Sequence, residues 1–146
     1  MSTKMKHKVG DSDSITMTIT DEMVRAFAEL SGDKNPVHLN DDYASKTRFK
    51  KRIAHGMLLG ALLSRVAGTK IPGPGTIVIS QDIRYKEPCF IGDTVTAEIK
   101  ILHVRADKPI VKISSRVTNQ DGGVLIDGGA ILYFDPVEGF EDQLLD

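Results

Sequence analysis

Residues 55 to 68, HGMLLGALLSRVAG, constrain this chain most strongly. Read as a helix, the segment sets Met57, Leu58, Leu59, Ala61, Leu62, Leu63 and Val66 around nearly its whole circumference, so it must be buried on most sides. Such a helix needs a layer to wrap it, and the following sequence supplies one. After IPGPG at 71 to 75 the apolar period changes from helical to two. Ile77 and Ile79 begin a strand; Val95, Ala97, Ile99 and Ile101 alternate with polar neighbours, as do Val111, Ile113, Ser115 and Val117. These read as half-buried antiparallel strands. NQDGG at 119 to 123 is a tight reversal into a last strand, Val124 to Phe134, which favours a meander over parallel crossovers. With a short strand near Ser14 to Ile19 ahead of them, these elements predict an α+β fold, a curved antiparallel sheet wrapped around a central buried helix.

Ahead of the central helix the signals are local. Residues 1 to 13 are polar and lysine-rich without periodicity, which predicts a loose end. Thr20 is placed to cap a helix with Asp21 and Glu22 in its first turn and Met23, Phe27 and Leu30 on one face, stopping near Ser31 and Gly32. GDKNPVHLN at 32 to 40 carries turn chemistry and predicts a loop bearing Asp33 and His38, followed by a short helical piece at Asp41 to Lys46. Gly68 is placed to end the central helix.

A chain of 146 residues suits one domain, 1 to 146, with a core that needs no disulfide or metal. The single cysteine, Cys89, and an amino terminus without the apolar segment of a secretory signal lead to the expectation of a cytoplasmic protein. A formal net charge of −1 recommends neither nucleic acid nor an anionic membrane as partner. The longest apolar stretch, Met57 to Leu63, falls far short of the ~20 residues needed to cross a bilayer, so no membrane span is expected.

The densest polar cluster with chemical potential is Asp33, Asn35 and His38, followed by His55 and Gly56. A carboxylate and an imidazole held close can orient one water and exchange protons with it near neutral pH. On a regular helix Asp33 and His38 would stand roughly 140° apart, so a shared site requires the bend that Pro36 promises. From composition and spacing alone, Asp33 could equally close a turn and His38 be an ordinary loop histidine. Gly56 could relieve packing at the start of the buried helix, or offer its free amide to a developing anion.

The segment FAELSGDKNPVHLNDDYA, residues 27 to 44, resembles the signature of the MaoC-like (R)-specific enoyl-CoA hydratases. An aromatic residue (Phe27), a small residue with Gly-Asp (Ser31, Gly32, Asp33), Asn-Pro (Asn35, Pro36), an aliphatic residue (Val37), His38 and a small residue (Ala44) follow in order and spacing. RIAHGMLLGALLSRVAG at 52 to 68 is similar to the family's central helix, and residues 71 to 99 to the segment after it. The resemblance implies a hot-dog fold, a homodimer with sites near the subunit interface, and Asp33 and His38 as a catalytic pair. That pair would bind the water that adds to the β-carbon of a trans-2-enoyl thioester to give the (R)-3-hydroxyacyl thioester, or remove it in reverse. The resemblance also implies that Gly56 holds the oxyanion and that Ser64 bonds to the catalytic carboxylate, although a helical serine commonly bonds its own backbone. Asn35 and His55 are read as supports of the loop.

The run at 46 to 52 holds Lys46, Arg48, Lys50, Lys51 and Arg52. Its default reading is a solvated loop; Arg48, Lys50, Lys51 and Arg52 could also receive coenzyme A phosphates or the acidic face of an acyl carrier protein. No cofactor is expected beyond that substrate carrier. No metal is expected either, because Asp33, His38 and His55 lack a recognised zinc spacing. The rival readings are a 3-hydroxyacyl-[acyl carrier protein] dehydratase, an acyl-CoA thioesterase on the same fold, and a noncatalytic acyl-thioester-binding subunit. Acyl-chain length is not legible, since aliphatic residues on several strands could close the tunnel.

Overall fold

The chain runs β1 (Ser12–Thr18), α1 (Asp21–Ser31), α2 (Pro36–Leu39), α3 (Asp41–Ser45), α4 (Gly56–Thr69), β2 (Thr76–Tyr85), β3 (Thr94–Val104), β4 (Ile110–Thr118) and β5 (Val124–Phe134) in a computed structural model that describes residues 5–140. The strands form one antiparallel sheet in the order β1-β3-β4-β5-β2. The expected meander is β3-β4-β5. Its last turn is built by Asn119, whose Oδ1 accepts from the amides of Asp121 and Gly123.

Alternation in β3 and β4 is borne out: Val95, Ala97, Ile99, Ile101, Val111, Ile113, Ser115 and Val117 are all buried. They face Leu59, Leu62, Leu63 and Val66 of α4, which packs chiefly on β3 and touches β1, β2 and β4. Burial, not propensity, keeps α4 helical. Gly60 and Gly68 each cost about 1 kcal/mol relative to alanine, whereas each of the buried leucines contributes about 1.5–3 kcal/mol.

Five expectations are corrected. Residues 1–4 of the segment expected to be loose lie outside the described residues, but Ser12 and Asp13 pair with Lys100 and Ile99, and the Gly10 amide donates to the Ile101 carbonyl. Backbone pairing with β3 orders this stretch without an apolar period. In α1 the buried residues are Val24 and Ala28; Leu30 is 86 % exposed, about 120° around the helix from Val24 in the last turn. His38 lies in the one-turn helix α2, because proline is well accommodated at a first helical position where no amide is needed. Gly68 does not end α4, which continues to Thr69; the reversal uses Gly73 and Gly75, both at positive φ. Finally, β2 is not half-buried: Ile77, Val78 and Ile79 are all exposed on this edge strand. On α4 a strip of Met57, Ala61, Ser64 and Arg65 is likewise uncovered, their spacing setting them on one face.

Candidate active site

A relay of short-range hydrogen bonds carries the chain from α1 to the site. Thr20 caps α1, its hydroxyl accepting from the Met23 amide at 3.2 Å. Gly32, at φ 77°, turns the chain out of α1 in the left-handed region where glycine is favoured. The Ser31 hydroxyl donates to the Phe27 carbonyl at 2.7 Å and accepts from the Asp33 amide at 3.1 Å. Asp33 Oδ1 accepts from the Asn35 amide at 3.3 Å, and Asn35 Oδ1 caps α2 by accepting from the Val37 amide at 3.2 Å. Asn35 thus holds the start of α2 through its side-chain oxygen.

Two imidazoles are then fixed by backbone carbonyls. His38 Nδ1–H donates to the Ile53 carbonyl at 2.7 Å, and His55 Nε2–H donates to the Asp33 carbonyl at 2.9 Å. Each bond requires the proton on the bonded nitrogen, and in neutral His38 this leaves the lone pair on Nε2. The rings of His38 and His55 lie 3.9 Å apart at 30°, and the Phe27 ring lies 4.8 Å from that of His55, tilted at 56°. His55 therefore supports both members of the pair, holding the Asp33 backbone and backing the His38 ring. Its Nδ1 is buried without a partner.

Burial pushes the His38 imidazole below its ordinary pKa of 6.5; the Ile53 carbonyl opposes this, the neighbouring His55 reinforces it, and Asp33 opposes it more weakly. The neutral form, with Nε2 open, is favoured.

The sequence grouped Arg52 with its basic neighbours, and the structure separates it from them. Its side chain is only 9 % exposed, pairs with Asp21 and lies 3.8 Å from Asp41. Its Nε donates to the His38 carbonyl at 2.8 Å. The hydrogen bond from Arg52, with that from Arg25 second, holds the Asp21 carboxyl below the usual range. Arg52 clamps α1, α2 and α3 together and is not free to hold a phosphate, which corrects the expectation. Arg48 remains available, lining the site cavity with its guanidinium 4.6 Å above the Phe49 ring. Lys50 and Lys51 line a neighbouring surface pocket with Phe90 and Ile91.

A cavity of about 380 Å³ brings together Asp33, His38, His55, Gly56 and Arg48. Ser64 does not line it, and no hydrogen bond joins Ser64 to Asp33 within the chain; it faces outward on the open strip of α4. Gly56 opens α4, whose cap residue His55 makes no side-chain capping bond; the His55 carbonyl takes the Leu58 amide, and the Gly56 amide ahead of it is left unpaired. A Cβ on Gly56 would stand 2.4 Å from Cε1 of Tyr85, so close packing and a free amide coincide there. Tyr85, Met57 and Cys89 also line the cavity and were missed. Only the end of β2, the segment after it and the first turn of α4, once folded together, reveal them. Burial pushes the Cys89 thiol up to about 12, with Asp93 adding to the shift, which removes it as a nucleophile.

Sequence spacing also concealed that Asp33, His38 and His55 each bring a ligand-type atom within 4.8 Å of the others. The His55 nitrogen that remains free is sealed from solvent. Two donors thus remain accessible to the cavity, His38 Nε2 and the Asp33 carboxylate, one fewer than the three protein ligands of a catalytic zinc. They suit a bound water.

The family model described as "MaoC like domain" matches residues 2–121. The chain belongs to the MaoC-like domain family. It is 45 % identical over 123 residues to the (R)-specific enoyl-CoA hydratase of Rhodospirillum rubrum, covering 84 % of this chain and 85 % of that one. It is 43 % identical over 109 residues to the enzyme of the same name from Aeromonas caviae, covering 75 % of this chain and 81 % of that one. The unliganded R-hydratase of Pseudomonas aeruginosa superimposes with a TM-score of 0.85 at 41 % identity, over 90 % of this chain and 84 % of that one. The sheet and buried helix are therefore the hot-dog fold that the signature segment implied.

The MaoC-like site carries a pH signature. The unfolded His38 imidazole titrates near its ordinary 6.5, the folded one below it. Between the two values the unfolded chain binds more protons, so stability is full above the unfolded pKa, falls as pH drops through that window, and levels off beneath the folded pKa. NMR titration of the His38 ring protons should give a midpoint below 6.5, and His38→Asn should flatten the corresponding fall in Tm. A midpoint above 6.5 would contradict the assignment.

Proposed function

We propose that this chain is an (R)-specific enoyl-CoA hydratase. One observation carries the reading: the Asp33 carboxylate, the open Nε2 of a neutral His38 and the unpaired amide of Gly56 meet at one cavity. A water held by Asp33 and His38 gives its proton to Nε2 as its oxygen bonds to the β-carbon of a trans-2-enoyl thioester. The π pair moves onto the thioester oxygen, where the Gly56 amide and the positive end of α4 stabilise the charge. The pair then returns to the α-carbon and takes the proton back from the imidazolium, so hydroxyl and hydrogen arrive from the same face. Dehydration is the same path reversed. The (R) outcome and the coenzyme A carrier rest on the names of the Rhodospirillum and Aeromonas relatives. Arg48, Lys50 and Lys51 are the cations proposed to meet the carrier's phosphates. A thioesterase would require water aimed at the carbonyl carbon, the group that Gly56 engages in this reading.

We further propose a homodimer built on the uncovered β2 edge and the open strip of α4. An exposed strand edge carrying Ile77, Val78 and Ile79 is a template for pairing with a second copy. Ser64 belongs to that strip, so its part in the site would be played at the subunit contact. No helix among the described residues is long and apolar enough to cross a membrane. The cytoplasmic assignment rests on a lone cysteine that is buried.

Loss of enoyl absorbance with crotonyl-CoA tests the chemistry. Asp33→Asn and His38→Ala should each lower kcat by about 10²–10⁴ with acyl-CoA binding retained. Full activity in either folded variant, or coenzyme A release without hydration, would refute the proposal. Light scattering tests assembly: wild type should have twice the chain's 16.0 kDa mass, and Ile79→Lys should return it to the monomer. A monomeric wild type would remove the dimer.

A further inference from the structure

Asp33 and His38 bring to the cavity more lone pairs than the chain's own hydrogen bonds use. Asp33 spends Oδ1 on the Asn35 amide at 3.3 Å. Among the described residues no side-chain cation pairs with its carboxylate: Lys34, next in sequence, pairs with Glu29 at 3.0 Å, and Arg52 pairs with Asp21. Arg48 and Lys86 line the same cavity but form no ion pair with it. His38 gives its Nδ1 proton to the Ile53 carbonyl at 2.7 Å. That is the arrangement in which a histidine binds a metal: the far nitrogen donates to a carbonyl, which fixes the ring and raises the basicity of the nitrogen left for the ion. His55 completes a cluster in which each residue brings a ligand-type atom within 4.8 Å of the others, and its own Nδ1 is buried without a hydrogen-bond partner. Carboxylate and imidazole are both ligands of zinc, at about 2.0–2.2 Å.

We propose that Asp33 and His38 bind a zinc ion that reversibly inhibits the enzyme. The inhibition rests on the hydratase reading above; the binding of the ion does not. Zinc takes Oδ2 of Asp33 and Nε2 of His38, the lone pairs that would otherwise orient the water and accept its proton. A nitrogen bonded to zinc is no base, so hydration stops. Two protein ligands are fewer than a resident catalytic zinc has; solvent fills the other tetrahedral positions and the ion stays exchangeable. The cavity, about 380 Å³, has room for that partly hydrated ion. Two ligands of a tetrahedral zinc stand about 3.3–3.6 Å apart, inside the 4.8 Å that bounds the cluster, and a turn of the exposed Asp33 side chain closes the difference. Magnesium is not an equivalent ligand, because it demands six oxygen ligands and gives up its water reluctantly.

The test is calorimetric titration of zinc chloride into wild type, Asp33→Asn, His38→Ala and His7→Ala, the last removing the other histidine that lies beside a carboxylate, 4.0 Å from Asp11. Wild type should bind one zinc per chain. Asp33→Asn and His38→Ala should weaken it by more than the roughly 10–100-fold that loss of a supporting partner costs a zinc site, and His7→Ala should leave it unchanged. NMR of wild type supplies a readout that needs no variant: zinc should move the His38 ring signals before those of His7 and His103. Hydration of crotonyl-CoA should fall as the site fills, recover on addition of EDTA and be unaffected by magnesium chloride. Zinc that leaves the His38 signals unmoved, or that binds Asp33→Asn and His38→Ala as it binds wild type, overturns the site. Zinc held there with hydration undiminished overturns the inhibition. If EDTA-treated wild type hydrates no crotonyl-CoA, the hydratase reading falls, while calorimetry and NMR still decide the metal site.

Discussion

The hydrogen bond from His38 Nδ1–H to the Ile53 carbonyl, 2.7 Å long, ties together segments fifteen residues apart. It fixes the ring, selects the tautomer that leaves Nε2 open, and anchors α2 to the stretch leading into α4. The return bond from His55 to the Asp33 carbonyl does the same for the other half of the pair. Because His55 is also the cap residue of α4, the Asp33 and His38 side chains and the Gly56 amide share one frame. Burial and the neighbouring His55 ring favour the neutral form of His38, whose Nδ1 proton goes to a backbone carbonyl.

The residues of the signature segment each have a local physical task. Phe27 backs His55, Ser31 links the end of α1 to Asp33, Gly32 supplies the positive φ, Asn35 caps α2, Pro36 starts it, and Ala44 is fully buried in α3. Phe27, Ser31, Gly32, Asn35 and Pro36 together bring one carboxylate and one imidazole to the same cavity. Their spacing is thus explained by hydrogen-bond reach instead of by any regular period.

Much of the fold was legible in the sequence for the same reason that it is stable. The all-round apolar helix and the alternation in β3 and β4 report burial directly, and burial dominates the energetics. What escaped was decided by partners distant in the chain. Arg52 reads as one more surface cation until Asp21, Asp41 and the His38 carbonyl are seen around it. Ser12 and Asp13 carry no apolar signal, yet their backbone completes an edge of the sheet. Ile77 and Ile79 alternate like core residues but stand uncovered, because periodicity records that a face is apolar without saying which molecule covers it. Tyr85 and Met57 become a pair only when the end of β2 lies over the start of α4. Asp33 and His38, by contrast, were legible through their segment's resemblance, since composition alone leaves a turn aspartate and a loop histidine equally acceptable.

Delivery of water and proton from one face by one pair of side chains is the central chemical claim, and hydration of crotonyl-CoA in deuterium oxide tests it most directly. NMR of the 3-hydroxybutyryl product should show one deuterium at the α-carbon, syn to a hydroxyl at an (R) β-carbon. Deuterium on the opposite face would mean that hydroxyl and proton come from separate groups, contradicting the shared role of Asp33 and His38.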